Sequence, residues 1–328
     1  MKELAIVGGG SWGTALAIVL APRFERIRLW VYETDLAQRM HQTRENDLYL
    51  PGLRIPTNID VKPELSDALD AVEIVLTVVP SHLVGRIYQR IAPLARPQML
   101  FVSATKGLEE NSLLRPSEIA EGLLPAHIAV LSGPTFAREV ASLSPTALVI
   151  ASTDTGLAEC VQSAFSGTTF RLYTSTDPIG VEIGGAVKNV VAIGAGLVHA
   201  LNLGNNAMAA LITRGLAEIT RLAVALGGKA QTLSGLAGLG DLVLTCTGEL
   251  SRNRMVGIEL AKGRRLDEIV GSMRMVAEGV KTTGAALELA RRHSVEMPIT
   301  EQMYQMLHQG LPPREAVRRL MERSLRGE

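Results

Sequence analysis

Lys188 lies in a segment whose pattern predicts a buried position, where a lysine side chain is costly. Lys188 and the adjacent Asn189 fall inside a glycine-rich apolar stretch with the pattern of a helix, among alanines and valines. A buried ammonium group needs a partner, whereas a lysine on a helix surface can extend its amine to water. A buried lysine beside an asparagine suits a dehydrogenase, because the ammonium group donates a proton to a carbonyl oxygen as hydride reaches the carbon.

A carboxylate that would hold this lysine follows a second glycine-rich stretch. Residues 235–240 are predicted to form a flexible loop, and Asp241 at its end is the natural partner of Lys188. An ordinary helix N-cap is the alternative role for Asp241. His199 is the main histidine competitor for the general acid, and we expect it to be a core or interface histidine instead. Arginine is unsuitable as the acid, because its pKa exceeds about 12.

A third group of polar residues has the composition of an anion site. Ser251, Arg252, Asn253 and Arg254 place a hydroxyl, an amide and two guanidinium groups at a predicted helix start. Guanidinium groups bind phosphate in a bidentate manner, and a helix start adds backbone donors. The group therefore predicts recognition of a phosphorylated small molecule, with a solvated basic helix terminus as the alternative.

Glycines near the start of the chain have the spacing of a dinucleotide-binding loop. Gly8, Gly10 and Gly13 follow an apolar strand and open a helix, which is the context that this motif requires. They would provide a tight turn, a close approach of the backbone to a pyrophosphate and close packing of helix on strand. The amides of Ser11 and Trp12 would then point at the phosphates. A plain glycine turn is the alternative.

An acidic residue is expected about 20 residues beyond such glycines, at the end of the second strand. Glu33 stands there, after Tyr32. A carboxylate at this position would bond a ribose diol and repel a 2′-phosphate, so Glu33 favours NAD over NADP. A solvated acid at a strand end is the alternative.

The order of patterns along the chain predicts two domains. Strands that alternate with helices are predicted in the first half, at residues 4–7, 27–31, 74–79, 99–103, 129–131 and 146–151. Helices alone are predicted in the second half, at residues 179–202, 206–226, 231–236, 252–262, 266–272, 279–290, 299–309 and 313–323. We therefore expect an α/β, Rossmann-type, doubly wound and mostly parallel sheet over residues 1–178. An all-helical substrate-binding and catalytic domain should follow over residues 179–328.

Composition excludes several classes of function. The 328 residues carry 33 basic and 33 acidic side chains, and this balance argues against a nucleic-acid partner. Cys160 and Cys246 fit neither a disulfide framework nor a metal site, so we expect a reducing compartment and no metal. The longest apolar run, residues 190–198, is shorter than the roughly 20 residues of a membrane span. A cytoplasmic protein without stable membrane insertion or a targeting signal is expected.

Six motifs occur in the order found in NAD(P)-dependent sn-glycerol-3-phosphate dehydrogenases, and the chain resembles the bacterial type over almost its whole length. They are the glycine loop at 8–13 with Trp12, and the segments 103–107, 133–137, 188–196, 238–241 and 251–253. The Lys-Asn-Val-Val-Ala stretch at 188–192 is highly specific, whereas the glycine spacing is not. The resemblance implies reduction of dihydroxyacetone phosphate to sn-glycerol 3-phosphate with NADH or NADPH, which supplies the glycerophospholipid backbone.

The same resemblance implies roles for individual residues and a homodimer. Lys188 would be the general acid and base, supported by Asp241 and by Lys106 between the cofactor and the substrate. The cofactor site would comprise Gly8, Gly10, Ser11, Trp12, Gly13, Tyr32, Glu33, Lys106, Ala137, Arg252, Val276 and Glu278. The substrate site would comprise Lys106, Gly133, Thr135, Lys188, Asn189, Asp241, Thr245, Ser251, Arg252 and Asn253.

Two other functions are compatible with parts of this pattern. A β-hydroxyacid or ketopantoate-type reductase also joins a Rossmann domain to a helical domain with a catalytic lysine, but its substrates are carboxylates. The basic group at 251–254 favours a phosphate instead. A dinucleotide sensor without catalytic activity would bind the cofactor without turnover, and the presence of both Lys188 and Asp241 argues against it.

Overall fold

A computed structural model describes residues 2–124, 126–273 and 276–324. Within these ranges all strands precede residue 176. The strands are β1 Glu3–Val7, β2 Arg26–Trp30, β3 Glu45–Asn46, β4 Leu50–Arg54, β5 Ile59–Lys62, β6 Ile74–Thr77, β7 Leu100–Ser103, β8 Ile128–Ser132, β9 Thr146–Ala151 and β10 Phe170–Ser175. The helices between them are α1 Ser11–Leu20, α2 Thr34–Thr43, α3 Leu65–Leu69, α4 Val84–Ile91, α5 Pro116–Leu123, α6 Ala137–Ala141 and α7 Thr155–Phe165.

Eight strands form one sheet in the order β10-β9-β8-β7-β6-β1-β2-β5. Strands β8 and β9 pair antiparallel and the other neighbours pair parallel, while β3 and β4 form a separate antiparallel pair. The predicted mostly parallel, Rossmann-type sheet is therefore confirmed. The chain leaves β1 for β2 on one side and later returns to β6 on the other side. Ligands of such sheets bind in the crevice that this reversal opens at the carboxyl ends of the strands.

Strand β1 shows why apolar runs predicted the central strands. Leu4 and Ile6 belong to the core on one face of the sheet, while Ala5 and Val7 belong to the core on the other. Both faces are covered by helices, so the four buried residues of the strand, 4–7, are all apolar, and only Glu3 at its start is charged. All six predicted strands are present, with ends shifted by at most two residues.

Two strands of the sheet were not predicted from the sequence, and both lie at its edges. Along β10, buried residues alternate with exposed ones, and β5 has a similar alternating pattern with a charged residue at every second position. One face of an edge strand meets solvent, so no continuous apolar run marks it. The short β3–β4 pair was missed for the same reason.

The second part of the chain is helical, as predicted. Its helices are α8 Pro178–Ala200, α9 Gly204–Ala225, α10 Ala230–Leu233, α11 Asp241–Thr247, α12 Arg252–Ala261, α13 Leu266–Ser272, α14 Glu278–Arg292, α15 Pro298–His308 and α16 Pro313–Met321. Helix α8 is long and apolar enough to cross a membrane, with a mean hydropathy of 1.5. Its most apolar stretch is entirely buried inside the fold, so α8 is the core helix around which the others pack.

One local prediction is wrong and another is contradicted in part. The stretch before Asp241 is not a flexible loop, because Leu236–Gly240 forms a π-helical turn in which the amide of Gly240 bonds the carbonyl of Gly235 at 3.1 Å. His199 is not a core histidine, because its side chain is exposed in the last turn of α8, and its alternative as an interface histidine stays a prediction. The apolar pattern of α8 ends one residue earlier, at Val198, where the helix leaves the core.

Candidate active site

The glycine loop after β1 has the geometry that a dinucleotide requires. Gly8 has φ +127°, and a Cβ atom there would overlap the carbonyl oxygen of Val78. A Cβ atom on Gly13 would overlap the carbonyl oxygen of Gly8. At Gly10, in contrast, no atom of the described residues lies within 4 Å of the position that a Cβ atom would take. The absence of a side chain at Gly10 therefore leaves space for a group outside the chain to approach the backbone.

The first turn of α1 offers unused hydrogen-bond donors to this space. The helix begins at Ser11, and its first internal bond joins the amide of Thr14 to the carbonyl of Gly10 at 2.9 Å. The preceding amides, including those of Ser11 and Trp12, have no partner inside the helix. The indole Nε1 of Trp12 is buried and has no hydrogen-bond partner within the described ranges. The free backbone amides of this turn fit the pyrophosphate of a dinucleotide.

Glu33 lies at the carboxyl end of β2, where the second part of the cofactor site was predicted. It is the N-cap residue of α2, and its Oε1 accepts a hydrogen bond of 2.7 Å from the hydroxyl of Tyr49. Burial and the neighbouring carboxylate of Glu33 raise the pKa of Tyr49 to about 12, so the hydroxyl remains a donor. Tyr32 is 65% exposed with its ring against Trp30. The carboxylate of Glu33 is thus held beside the crevice.

The carboxylate of Asp241 lies between two lysines. Asp241 is fully buried at the start of α11; its Oδ1 pairs with the Nζ of Lys188 from α8. Its Oδ2 lies 2.8 Å from the Nζ of Lys106, which follows β7. Lys106 also donates to the carbonyl of Gly133 at 2.8 Å and to the hydroxyl of Thr135 at 3.1 Å. The predicted partnership of Lys188 with Asp241 is therefore present, and Asp241 joins both lysines.

The ammonium group of Lys188 is set up to exchange a proton. Besides Asp241, its Nζ contacts the hydroxyl of Thr245 at 3.1 Å, and that hydroxyl donates to the carbonyl of Asp241 at 2.6 Å. Thr245 can therefore only accept from Lys188. Burial lowers the pKa of Lys188 to about 7, Asp241 opposes this shift, and the positive charge of Lys106 adds to it. Such a pKa suits a general acid near neutral pH.

An amide chain links α8, α12 and α14 next to the lysines. The Nδ2 of Asn253 donates to the Oδ1 of Asn189 at 2.9 Å, and the amide of Gly279 donates to the Oδ1 of Asn253 at 2.9 Å. Both asparagines are buried. Asn253 thus has its oxygen occupied and keeps one amide hydrogen for another acceptor.

The start of α12 carries the predicted phosphate-binding residues. Ser251 is the N-cap, and its hydroxyl accepts a bond of 3.3 Å from the amide of Arg254, so its side chain stabilises the helix end. Arg252 is exposed and donates to the carbonyl of Val276 at 3.2 Å. The guanidinium group of Arg252 therefore remains within reach of an anion in the crevice.

The two parts of the chain also meet at Glu278, at the start of α14. Its Oε2 accepts a bond of 2.7 Å from the hydroxyl of Ser81, which follows β6 at the carboxyl edge of the sheet. Ala137 is the first residue of α6, and this helix packs against α1. Glu278 therefore contacts the carboxyl edge of the sheet, and Ala137 lies on the helix that packs against α1.

Comparisons with known proteins identify the family. The family model for the NAD-dependent glycerol-3-phosphate dehydrogenase N-terminus matches residues 3–158, and the model for the C-terminus of the same family matches residues 177–318. A glycerol-3-phosphate dehydrogenase (NAD(P)+) of Koribacter versatilis is 54% identical over 330 residues, which cover 98% of this chain and 98% of that protein. The chain belongs to the NAD-dependent glycerol-3-phosphate dehydrogenase family. A relative of the same name from Geobacter sp. (strain M21) is 51% identical over 100% of this chain and 99% of that protein.

Solved structures of this family have the same fold. Glycerol-3-phosphate dehydrogenase from Coxiella burnetii matches with a TM-score of 0.95 and 42% identity over 98% of this chain and 99% of that one. A ketopantoate reductase from Ralstonia eutropha matches with a TM-score of 0.60 and 15% identity over 96% of this chain and 100% of that one, which shows a shared fold alone. The glycerol-3-phosphate dehydrogenase interpretation is thus confirmed over the ketopantoate-type alternative, with NAD or NADP as the expected cofactor.

Three residues of this family member contribute to the site but were missed from the sequence. Asn46 is fully buried, and its Nδ2 donates to the carbonyl of Gly9 and to the hydroxyl of Thr14, both at 2.8 Å. Asn46 thereby holds the glycine loop in place. Tyr49 holds Glu33, and Ser81 holds Glu278. No local pattern marks these three residues, because each acts on a partner distant in sequence.

Proposed function

We propose that this chain reduces dihydroxyacetone phosphate to sn-glycerol 3-phosphate, and catalyses the reverse reaction, with NADH or NADPH. The proposal rests on one observation: the ammonium group of Lys188 is buried and is held by Asp241 and Thr245. These two contacts account for two of its three hydrogens, and the third is available to a carbonyl oxygen. The product supplies the glycerol backbone of phospholipids.

Lys188 is the general acid of the reduction. Its ammonium group donates a proton to the ketone oxygen, and the lysine becomes a neutral amine that is protonated again from solvent. A nicotinamide cofactor, which the glycine loop and Glu33 would hold, would supply the hydride to the ketone carbon. Because burial lowers the pKa of Lys188 to about 7, the ammonium group releases its proton more readily than an ordinary lysine does. In the oxidation of glycerol 3-phosphate, the neutral amine takes the hydroxyl proton.

The substrate phosphate binds at the start of α12. Arg252 supplies the guanidinium group, Asn253 has a free amide hydrogen, and the helix start adds partial positive charge. Lys106 orients the carboxylate of Asp241, because its three contacts with Asp241, Gly133 and Thr135 account for all three of its hydrogens and fix its position. Asn189 lies between Lys188 and Asn253, at the boundary of the catalytic and phosphate positions.

The glycine loop and Glu33 would hold the cofactor, and Val276 and Glu278 would contact it from the helical part. The carboxylate of Glu33 favours NADH over NADPH. The chain divides into a dinucleotide-binding domain at 1–178 and a helical catalytic domain at 179–328. The protein functions in the cytoplasm as a homodimer.

Steady-state kinetics test the proposed function. The purified protein should oxidise NADH in the presence of dihydroxyacetone phosphate, and should show a lower kcat/KM with NADPH. Ketopantoate and unphosphorylated dihydroxyacetone serve as the comparison substrates. Turnover of ketopantoate above that of dihydroxyacetone phosphate would contradict the proposal, and so would binding of NADH without turnover of any of the three.

A further inference from the structure

A second buried carboxylate lies on α8, six residues before Lys188, and the reaction as derived above does not use it. The side chain of Glu182 is 1% exposed. Its Oε1 accepts from the amide of Ser117 at 2.9 Å, and its Oε2 accepts from the hydroxyl of Ser117 at 2.6 Å and from Arg115 at 2.7 Å. Burying a carboxylate is costly unless such partners are present, so this arrangement is a specific one.

The partners of Glu182 end a segment that begins next to the active site. Residues 104–115, named here the bridging segment, run from the end of β7 to the start of α5 and include Lys106. In the middle of this segment, Leu108 and Leu113 are buried in the helical core, beside apolar residues of α8. The bridging segment is therefore held on the helical part at its start by Asp241, in its middle by apolar contacts and the ion pair of Glu110 with Lys281, and at its end by Glu182.

We propose that Glu182 is a positioning residue for the reaction. It fixes the end of the bridging segment on α8 and thereby keeps Lys106 against Asp241. This inference rests on the function proposed above. Without the carboxylate, the guanidinium group of Arg115 loses its buried partner and keeps the ion pair with the more exposed Glu118. The bridging segment then loses the attachment at its end.

A displaced Lys106 would alter the proton exchange at Lys188. The charged groups that act on Lys188 are Asp241, which raises its pKa, and Lys106, which lowers it. The neighbouring thiol of Cys246 is neutral, since burial raises its pKa to about 12. Removal of one positive charge from the vicinity raises the pKa of Lys188, so more of the lysine stays protonated as the pH rises.

The test compares three variants at a temperature where all are folded. Glu182→Ala should lower kcat for dihydroxyacetone phosphate about tenfold and move the alkaline limb of the kcat–pH profile to higher pH. Glu182→Gln keeps one acceptor oxygen for Ser117 but gives Arg115 no charged partner, so it should produce a smaller change in the same direction. Glu218→Ala is the matched control: Glu218 is equally buried and accepts three hydrogen bonds, but from the start of α15. It should leave kcat and the pH profile unchanged.

A second measurement does not depend on turnover. The side chain of Lys106 is 15% exposed, so it should react slowly with an amine-acetylating reagent followed by mass spectrometry. Glu182→Ala should increase the acetylation rate of Lys106 several-fold, while the rate of Lys262, a surface lysine, stays the same. If the wild-type protein does not reduce dihydroxyacetone phosphate, the proposed function fails, and the acetylation rate still tests the position of Lys106.

The role of Glu182 is disproved if Glu182→Ala keeps the wild-type kcat, pH profile and acetylation rate of Lys106. It is also disproved if Glu218→Ala produces the same changes, because the effect would then be general loss of stability. Should Glu182→Ala fail to fold, Ser117→Ala decides the question. This variant removes one donor to Glu182 and keeps the carboxylate; faster acetylation of Lys106 supports the proposal, and a wild-type rate overturns it.

Discussion

Lys106 and Asp241 form an ion pair of 2.8 Å that joins the end of β7 to the start of α11. The lysine comes from the part of the chain that contains the sheet, and the aspartate comes from the helical part. The second oxygen of the same carboxylate holds Lys188. The carboxylate of Asp241 therefore links a lysine of the sheet-containing part to the lysine that we propose as the general acid, so packing of the two parts contributes to the orientation of this carboxylate.

Loss of the lysine should abolish most of the activity. Lys188→Ala is expected to lower kcat about a hundredfold or more with the fold intact, because the general acid is removed. Lys188→Arg should be no better, because arginine keeps the charge but does not release a proton near neutral pH. NADH oxidation with dihydroxyacetone phosphate measures kcat, and circular dichroism checks the fold. Lys229→Ala, at an exposed lysine, is the control. Near wild-type turnover in Lys188→Ala would remove Lys188 from the mechanism.

The rate should depend on pH in opposite ways in the two directions. Reduction needs the protonated lysine, so its kcat should fall as the pH rises through about 7, and oxidation of glycerol 3-phosphate should show the mirror image. Because the carboxylate of Asp241 raises the pKa of Lys188, Asp241→Asn should move the falling limb to lower pH. Profiles of kcat against pH in both directions measure this. A limb that stays in place or moves to higher pH would contradict the assignment.

Arg252 should act on binding of the phosphate rather than on the chemical step. Arg252→Ala is expected to raise KM for dihydroxyacetone phosphate about tenfold or more, which corresponds to the roughly 1.5–3 kcal/mol of a hydrogen bond to a charged group. The variant should discriminate less against unphosphorylated dihydroxyacetone. Kinetics with both substrates measure the change, and Arg265→Ala, at an exposed arginine paired with Asp267, is the control. Unchanged discrimination would show that the phosphate binds elsewhere.

Glu33 should set the preference between the two cofactors. Glu33→Ala is expected to raise kcat/KM with NADPH relative to NADH about tenfold, because the repulsion of the 2′-phosphate is lost. Tyr49→Phe keeps the carboxylate but removes the hydroxyl that fixes it, so it should shift the ratio less in the same direction. The ratio of kcat/KM values with the two cofactors is the measurement. If neither variant changes it, another residue determines the preference.

The buried carboxyl of Glu218 should make stability depend on pH. Burial raises its pKa to about 7, above its unfolded value, so the folded state holds the proton more tightly. Glu218 then contributes about 3 kcal/mol to the free energy of unfolding below about pH 4, and this contribution is lost as the pH rises through about 7. Urea unfolding at acid and neutral pH gives the free energy of unfolding of the wild type and of Glu218→Gln. The difference between the two proteins reports Glu218, because the other titratable groups contribute equally to both. Equal pH dependence in both proteins would refute this.

The features of the site that depend on nearby residues were predictable from the sequence. The spacing of Gly8, Gly10 and Gly13 between a strand and a helix predicted the loop, because the steric demands that select glycine there are local. The position of Glu33 followed from the length of one helix and one strand. The contact between Lys188 and Asp241 was expected from chemistry, whereas the roles of Lys106 and Val276 came from the resemblance.

By itself, the sequence determined the central strands, eight of the helices after residue 178 in outline but not α11, and the residue types of the site, because periodicity and turn sterics act over a few neighbours. The tertiary structure decided which side chains meet. Lys106 reaches Asp241 across 135 positions, Glu278 reaches Ser81 across 197, and Tyr49 is turned onto Glu33. The same packing made residues 236–240 helical and left His199 exposed. Such contacts depend on how whole elements pack, which no local pattern encodes.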